Sequence, residues 1–274
     1  MTSASADGGA VLGPRLGAGR EAEVYAWGNA AVLKLYRPGF GGHRAEAATL
    51  RSLYGGGIAP RLLDVVDRDG RTGLVMERFD GPDMLTLLQR QPWRVLGLAG
   101  ALATTHLAVH RVAAPADLPH QRQVLAARIH DAGLPTRLRS FTIRVLDGLP
   151  DGDRLCHGDY HPGNVLLAAG RTAVIDWAGA ARGVPEADHA RTLLLLRWAD
   201  PLPGTPVLSR ALIAAGRSLL THRYAQTYRR GSPRLRRVDS WLLAHAAARV
   251  SEGIEVERAT LIGMLDRARH HATR

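Results

Sequence analysis

The fold is decided by the stretch CHGDYHPGNVLL, residues 156–167, together with AVIDW, residues 173–177. These stretches supply Asp159, Asn164 and Asp176 at spacings of five and twelve residues. A loop that bears an acid, an asparagine at its far end and a strand that ends in another acid can place three oxygen groups around one phosphate. Phosphoryl transfer needs this arrangement, because Mg²⁺ requires hard oxygen ligands and the attacking hydroxyl needs an oriented proton acceptor.

We therefore interpret Asp159 as the acceptor of the hydroxyl proton, and Asn164 and Asp176 as ligands of Mg²⁺. The alternative is that Asp159 and Asn164 only shape a turn and that Asp176 only caps a strand. Asparagine is scarce in this chain, and Asn29 is the only other one. This scarcity favours the catalytic interpretation of Asn164.

The wider pattern predicts an α+β protein with two lobes. Up to residue 80, short strands broken by glycine or Asp-Gly pairs surround one helical stretch at residues 43–55, which is typical of an antiparallel sheet carrying one helix. From Gly81 onward helical patterns prevail, with one strand-loop-strand stretch at residues 155–177. We expect residues 1–80 and 81–274 to form the two lobes. Helices of the second lobe are predicted over residues 94–113, 119–130, 186–199, 206–228 and 238–269.

Length and composition indicate a globular protein. A chain of 274 residues can bury a large core without disulfides, and Cys156 is its only cysteine, so no internal disulfide can form. The sequence begins without a basic segment followed by an apolar one, and no apolar run approaches the roughly 18 residues of a membrane-spanning helix. We therefore expect a cytoplasmic protein without a membrane partner.

The net charge of +11 raises the question of a nucleic-acid partner. This charge comes almost entirely from 35 arginines spread along the chain, whereas Lys34 is the single lysine. The densest cluster, at residues 229–237, is accompanied neither by a nucleic-acid-binding module nor by interleaved aromatic residues. We interpret this cluster as a solvated helix end and predict no nucleic-acid partner.

The string HGDYHPGN followed by VIDW resembles the aminoglycoside phosphotransferase and choline kinase family, small-molecule relatives of the protein kinases. The resemblance implies a bilobal protein-kinase-like fold with ATP and Mg²⁺ in the cleft between the lobes. Residues 1–80 would then form the nucleotide-binding lobe. Residues 81–274 would hold the catalytic loop and the site for a small-molecule hydroxyl acceptor.

The resemblance also assigns the residues that bind the nucleotide. Gly17 and Gly19, in LGAGREAEVY, match the loop that covers the phosphates, although the third glycine of the protein-kinase pattern is missing and a plain hairpin would look the same. Lys34, in AVLKLYR, matches the lysine that binds the α- and β-phosphates. That the only lysine of an arginine-rich chain stands at this position supports this role, because the planar guanidinium of arginine is no equivalent of the compact charge of lysine. The alternative is a surface lysine on an edge strand.

Three further positions follow from the same resemblance. Glu46 matches the glutamate that pairs with Lys34, with a solvated helix face as the alternative. Met76 and Glu77, in GLVMERF, lie where backbone groups would bind the adenine ring.

Several polar residues around the loop are expected to act as scaffold. Asp188, in PEADHARTL, matches the acid that holds the catalytic loop, although the glycine-aspartate-proline run usual before it is absent. His110, His157 and His161 are expected to brace the structure rather than carry protons.

The sequence leaves the acceptor open between an antibiotic or other secondary-metabolite alcohol and a metabolic alcohol such as choline, homoserine or a sugar. A polycationic acceptor would need carboxylates to neutralise it. Glu252, Glu255 and Glu257, in VSEGIEVER, are candidates, with Glu252 and Glu255 expected on one helical face, and an exposed charged face is the alternative. Choline would require an aromatic cage, which a chain with few aromatic residues disfavours.

Two other classes of protein remain as alternatives. A catalytically inactive nucleotide-binding module is disfavoured because Lys34, Asp159, Asn164 and Asp176 are all present. A protein kinase is disfavoured because HGD stands where protein kinases have HRD, and IDW where they have DFG.

Overall fold

The computed structural model describes residues 12–168, 170–198, 207–233 and 235–272. Its N-terminal lobe is a five-stranded antiparallel sheet with the strand order β1-β2-β3-β5-β4, and one helix lies between β3 and β4. The predicted antiparallel sheet with a single helix is thereby confirmed. Its elements are β1 (Leu12–Ala18), β2 (Ala22–Trp27), β3 (Ala31–Tyr36), α1 (His43–Ser52), β4 (Leu62–Arg68) and β5 (Arg71–Glu77).

Local sequence explains the hairpins of this sheet. The β4–β5 connection is the pair Asp69-Gly70, and both residues have positive φ angles, 56° and 72°. Asp-Gly is the pair that favours this two-residue turn, because its backbone twist matches that of the flanking strands. On β3, Leu33 and Leu35 are buried on one face of the sheet. The alternation of side chains along a strand therefore sends Lys34 to the other face.

The C-terminal lobe is mainly helical, as predicted. It also contains two small two-stranded sheets, in which β6 pairs with β9 and β7 pairs with β8. Its helices are α2 (Met84–Arg90), α3 (Val95–Val109), α4 (Gln121–Asp131), α5 (Thr136–Asp147), α6 (Pro185–Trp198), α7 (Val207–Gly231), α8 (Val238–Arg249) and α9 (Glu255–Ala272). Its strands are β6 (Arg154–Cys156), β7 (Val165–Ala168), β8 (Arg171–Val174) and β9 (Ala181–Gly183).

The structure departs from the predicted helices at three places, and one of them is the short helix α2, which none of the predicted stretches covers. The stretch 238–269 is two helices rather than one, because the chain turns at Gly253, whose φ is +72°, between the end of α8 and the start of α9. Glycine adopts this left-handed conformation without the steric cost that a Cβ imposes. The sequence pattern also missed α5, which begins directly after Pro135.

One hydrophobic core runs from the sheet into the helices. It continues from α1 and β5 through Trp177 to α3, α7 and α8, and its largest members are fully buried. Because Trp177 directly follows the second acid of the predicted site, the core fixes that acid close to α1. None of the helices in the described part of the chain combines the length and apolar character needed to cross a lipid bilayer.

Candidate active site

A cleft of about 770 Å³ opens between the sheet and the helical lobe. It brings together every site residue that the sequence predicted except Gly17, which lies within β1 and is not part of its lining. The predicted residues that line the cleft are Gly19, Lys34, Glu46, Met76, Glu77, Asp159, Asn164 and Asp176. Residues 142 positions apart in the chain thus face one space.

Lys34 lies with Glu46 and Asp176 at one end of this cleft, which we call the nucleotide end because the sequence predicts ATP binding there. Its Nζ is 2.6 Å from Oε2 of Glu46 and 2.8 Å from Oδ1 of Asp176, so it joins the two lobes. Burial lowers the pKa of Lys34, but the two carboxylates outweigh burial and raise the pKa above its usual value. The side chain is therefore an ammonium held in a fixed position.

Glu46 orients this ammonium from α1. The Glu46 side chain is almost fully buried, and its Oε1 accepts the backbone N–H of Trp177 at 3.2 Å while Oε2 also accepts the hydroxyl of Tyr36. Glu46 therefore lies in a packed interface, which excludes the alternative that it belongs to a solvated helix face.

The loop that covers the nucleotide end turns at Gly19, whose N–H donates to the carbonyl of Ala22 at 2.9 Å. Gly17 is paired with Val24 in the sheet, and a side chain at Gly17 would meet open space. Neither glycine has a positive φ angle. Of the two, Gly19 is the one placed to bring backbone close to a ligand.

One of the backbone groups expected to bind adenine at Met76 and Glu77 already has a partner. The N–H of Glu77 donates to the carbonyl of Arg61 at 2.9 Å, because Arg61 immediately precedes β4 and pairs with the end of β5. This donor is therefore already used and cannot serve the adenine ring. Met76 is buried and lines the cleft, so it shapes the pocket wall.

The catalytic loop begins at Gly158, whose φ is +80°. A Cβ at Gly158 would lie 2.3 Å from the carbonyl oxygen of Gly179, so the position accepts no side chain. His157 braces the loop: its Nδ1 accepts the N–H of Asp159 at 3.2 Å, and its Nε2–H donates to the carbonyl of Ile175 at 3.0 Å. These contacts agree with the prediction that His157 braces the loop.

Asp188 supports the loop from α6. It accepts the backbone N–H groups of His157 and Gly158 at 2.6 and 2.9 Å, and Nε2–H of His106 and His110 at 3.0 and 3.2 Å. Burial raises the pKa of Asp188, but the hydrogen bonds from the two histidines outweigh it and hold the pKa well below its usual range. Burial also lowers the pKa of His106 to about 3. The cluster thus joins the Asp188 carboxylate to the neutral imidazole of His106.

Asp159 presents its carboxylate to the cleft, where the side chain is 43% exposed. Oδ1 lies 3.2 Å from Nη2 of Arg191, and Oδ2 lies 3.5 Å from Nε2 of His161. Burial raises the pKa of Asp159, whereas His161 and Arg191 together outweigh burial and hold the pKa well below its usual range. Asp159 is therefore ionised at neutral pH.

Asn164 and Asp176 form a donor set that fits Mg²⁺. Nδ2 of Asn164 donates to the backbone carbonyl of Asp159 at 2.9 Å, and no hydrogen bond from the described residues occupies its amide oxygen. Asp176 uses Oδ1 for Lys34, and its side chain is half exposed to the cleft. Its φ of 64° is a left-handed conformation that aspartate tolerates better than most residues. An amide oxygen and a carboxylate oxygen are the hard ligands that Mg²⁺ prefers.

The other end of the cleft, beside Asp159, contains residues that the sequence analysis missed. We call it the acceptor end because the sequence predicts that Asp159 meets the acceptor hydroxyl there. Arg128, Arg191 and Ser251 line it together with Glu252. Arg191 lies three residues after Asp188 on α6, so the i, i+3 spacing on one helix face was a signal that could have found it. Nothing in the sequence marked Arg128.

The pairing of Glu252 with Glu255 on one helical face is wrong, because Gly253 separates the two residues at the helix break. Glu252 lies in the cleft and binds Arg191 at 2.8 Å and Arg249 at 2.9 Å. Glu255 is exposed at the start of α9 and is not part of the cleft lining. Only Glu252 therefore reaches the acceptor end.

A family model described as the phosphotransferase enzyme family matches residues 13–233 of the chain. No curated protein matches the sequence. The fold is similar to that of a thermostable mutant of the aminoglycoside phosphotransferase APH(4)-Ia in a ternary complex with ADP and hygromycin B. That structure has a TM-score of 0.64 and 18% identity, and the match covers 93% of this chain and 92% of the other.

Two further solved structures share the fold. A choline/ethanolamine kinase family protein from Mesorhizobium loti has a TM-score of 0.62 and 17% identity, with 94% of this chain and 86% of the other covered. The amicoumacin kinase hAmiN, in complex with AMP-PNP, Ca²⁺ and Ami, has a TM-score of 0.63 and 15% identity, with 94% and 88% covered. These similarities confirm the bilobal kinase-like fold.

Proposed function

We propose an acceptor class and a division of catalytic roles for this chain, which belongs to the phosphotransferase enzyme family and is an ATP-dependent small-molecule phosphotransferase. One observation carries the proposal: Lys34 of the sheet contacts Asp176 of the helical lobe at 2.8 Å, in a cleft that Asp159 and Asn164 also line. We further propose that residues 1–80 bind the nucleotide and that residues 81–274 carry the catalytic loop and the acceptor site.

The nucleotide end binds and orients ATP. Lys34 donates to the α- and β-phosphates, and Glu46 keeps its ammonium directed into the cleft. Asn164 and Asp176 would hold Mg²⁺, and the ion would supply positive charge to neutralise the phosphate oxygens. Gly19 lets backbone approach the phosphates, whereas Gly17 shapes the strand behind the turn.

Asp159 orients the acceptor hydroxyl for attack on the γ-phosphorus. The hydroxyl oxygen forms the new P–O bond while the bond from the γ-phosphorus to the bridging oxygen breaks, and ADP leaves with that electron pair. The hydroxyl proton passes to Asp159. Because the pKa of Asp159 lies well below its usual range, the carboxylate is a weak base that takes the proton only late, when the oxygen is already bonding to phosphorus.

The acceptor we propose is an antibiotic or other secondary-metabolite alcohol, so that antibiotic resistance is one biological role for the enzyme. Neighbours of the same fold are named for hygromycin B and amicoumacin complexes, which makes this class a reasonable first set to screen. Glu252 is the carboxylate beside Asp159 at the acceptor end, and it is already paired with two arginines. A single, paired carboxylate favours an acceptor with few positive charges over a polycation.

A metabolic alcohol of the homoserine or sugar type is the second candidate. A choline-type acceptor is less suitable, because a quaternary ammonium group is recognised by aromatic faces. The aromatic residues lining the described cleft are Phe79, after β5, and Trp177, which is fully buried beside Glu46. Both lie at the nucleotide end, so they form no cage around an acceptor.

The experiment that tests this function compares the wild-type protein with Asp159→Asn. ADP release is measured with Mg²⁺, ATP and a library of antibiotics and metabolic alcohols, and calorimetry measures nucleotide binding. We expect Asp159→Asn to lower kcat by roughly a hundredfold or more, the scale of general acid–base roles, with nucleotide affinity nearly unchanged. Loss of nucleotide binding in a folded variant would show that Asp159 serves the metal or the loop instead. A wild-type protein that binds ATP and releases no ADP would be the inactive module.

A further inference from the structure

Arg191 lies between the catalytic loop and the C-terminal helices. It is on α6, one turn after Asp188, and only 6% of its side chain is exposed. Asp188 holds the backbone N–H groups of the loop, while Arg191 reaches the side chain of Asp159. The two residues of one helix face thus fix different parts of the same loop.

The contacts of Arg191 concentrate on the reacting end of that loop. Its Nε donates to the carbonyl of Gly158 at 3.3 Å, and its Nη2 donates to Oδ1 of Asp159 at 3.2 Å. The same Nη2 donates to Oε1 of Glu252 at 2.8 Å, which ties the guanidinium to the junction between α8 and α9. A planar fork with three acceptors has little freedom to rotate.

The alternative is that Arg191 is a buried ion pair that only stabilises the fold. The neighbouring Arg249 shows what such a pair looks like. Arg249 donates to Glu252 at 2.9 Å and makes two hydrogen bonds to Glu257, at 2.5 and 2.7 Å. It belongs to the same chain of ion pairs, and none of its hydrogen bonds within the described residues reaches the catalytic loop. Arg249 is therefore a matched control for Arg191.

We propose that Arg191 is a positioning residue for phosphoryl transfer: it holds Oδ1 of Asp159, so that Oδ2 is directed to the acceptor hydroxyl. The inference rests on the proposed role of Asp159 as the acceptor of the hydroxyl proton. Glu252 contributes by holding the far side of the guanidinium. A shift of about 1 Å in a catalytic group can cost on the order of a hundredfold in rate, so such a clamp has a measurable effect.

The test compares Arg191→Lys with Arg249→Lys, because both substitutions keep the charge and remove the fork. Steady-state ADP release is measured with the best alcohol of the screen, or with water as the acceptor in Mg-ATP hydrolysis. We expect Arg191→Lys to lower kcat by roughly tenfold to a hundredfold with the KM for ATP within about threefold of wild type, since the nucleotide end is untouched. Arg249→Lys should keep kcat within about threefold.

A second variant distinguishes loss of the guanidinium group from misfolding as the cause of lost activity. Arg191→Ala should lose more activity than Arg191→Lys and regain part of it with millimolar guanidinium, which fills the vacated site with the same donors. Methylammonium should rescue less, and Arg249→Ala should not respond to guanidinium. Thermal denaturation and ATP calorimetry identify any variant that fails through loss of fold.

Several results would overturn the inference. They are equal loss of kcat in Arg191→Lys and Arg249→Lys, full kcat in Arg191→Lys, or a loss confined to the KM for ATP. Asp159→Asn in the same assay distinguishes failure of the proposed role of Arg191 from failure of the proposed role of Asp159. If Asp159→Asn is inactive while Arg191→Lys is fully active, only the positioning role of Arg191 is contradicted. If Asp159→Asn is itself active, the proposed role of Asp159 fails first.

Crystal structures provide a measurement that needs no activity. We expect the carboxylate of Asp159 to rotate or take two conformations in Arg191→Lys, and to stay in place in Arg249→Lys. An unmoved Asp159 carboxylate in Arg191→Lys would contradict the clamp, whatever the turnover of the protein.

Discussion

The two ends of the cleft are built in different ways. At the nucleotide end, Lys34 is fixed between Glu46 and Asp176, three residues that the sequence identified individually. At the acceptor end, Arg191 and Glu252 are 61 residues apart in the chain and form a hydrogen bond that the sequence did not predict. The nucleotide end is therefore recognisable from residue types at fixed spacings, whereas the acceptor end exists only once the helices have packed.

Chemistry explains the difference. On the proposed roles, phosphates and Mg²⁺ would restrict the nucleotide end to a compact cation and hard oxygen ligands, so few residue types could serve there. The wall of the acceptor end has to position one carboxylate, and an arginine from any neighbouring helix can do so. We therefore expect the largest loss of activity from a substitution at the nucleotide end and the smallest from a substitution at the acceptor wall.

The largest effect is expected for Asp176→Ala. This change removes a carboxylate that contacts Lys34 and that we assign to Mg²⁺, so the charge on the phosphates is no longer neutralised. Loss of several kcal/mol of this stabilisation corresponds to a fall in turnover on the order of a thousandfold or more. ADP release at saturating Mg²⁺ measures it, and circular dichroism confirms the fold. Turnover within a few-fold of wild type would remove Asp176 from the metal site.

A smaller effect is expected for Lys34→Arg, which keeps the charge. The guanidinium fork is too broad for a position enclosed by Glu46 and Asp176, and we expect kcat/KM for ATP to fall roughly tenfold to a hundredfold, somewhat less than the loss of a whole donor. Titration of ATP in the ADP-release assay measures this. The control is Arg15→Lys on β1, where the side chain is 59% exposed and is not part of the cleft lining.

Full activity in Lys34→Arg would mean that the nucleotide end depends on charge alone. The contrast between the two ends of the cleft would then disappear, because an arginine would serve equally well at both. The single lysine among 35 arginines would lose its significance.

The sequence predicted the parts of the fold that depend on local patterns. The Asp69-Gly70 turn, the alternation along β3 and the loop around Gly158 each follow from one or two residues in a stretch of fewer than ten. The sequence did not predict the break at Gly253, because a single glycine inside a helical pattern is often tolerated. It also did not show that Asp159 would meet Arg191, because only the spacing from Asp188 distinguished this residue among 35 arginines.

In the site, too, the sequence predicted some contacts and missed others. Lys34, Glu46 and Asp176 were assigned from motifs, and the structure places them in direct contact. Glu77 was assigned from its position on a strand, but its N–H pairs with Arg61, a contact between two strands that a strand pattern cannot specify. Pairings that depend on register and helix packing are therefore what the structure adds to the sequence.

The smallest effect is expected at the two acids near the helix break. Glu252→Gln weakens charge-assisted hydrogen bonds to Arg191 and Arg249, each worth about 1.5–3 kcal/mol when lost outright. Because the amide oxygen still accepts one of them and Asp159 stays bound to Arg191, we expect kcat to fall only several-fold, with an unchanged KM for ATP. Steady-state kinetics with the alcohol found by the screen measures both parameters.

Glu255→Gln is the matched control for Glu252→Gln, because it makes the same change three residues away on the exposed start of α9. We expect its kinetics to stay within about twofold of wild type, the result for a surface charge with no partner in the cleft. Equal losses in the two variants would mean that the acceptor wall extends past Gly253 to Glu255. A loss in Glu252→Gln that appears in the KM of a cationic acceptor, with kcat unchanged, would mean that Glu252 binds the acceptor directly rather than holding Arg191. The size of the loss, and whether it appears in kcat or in the KM of the acceptor, thus decide whether Glu252 holds Arg191 or binds the acceptor.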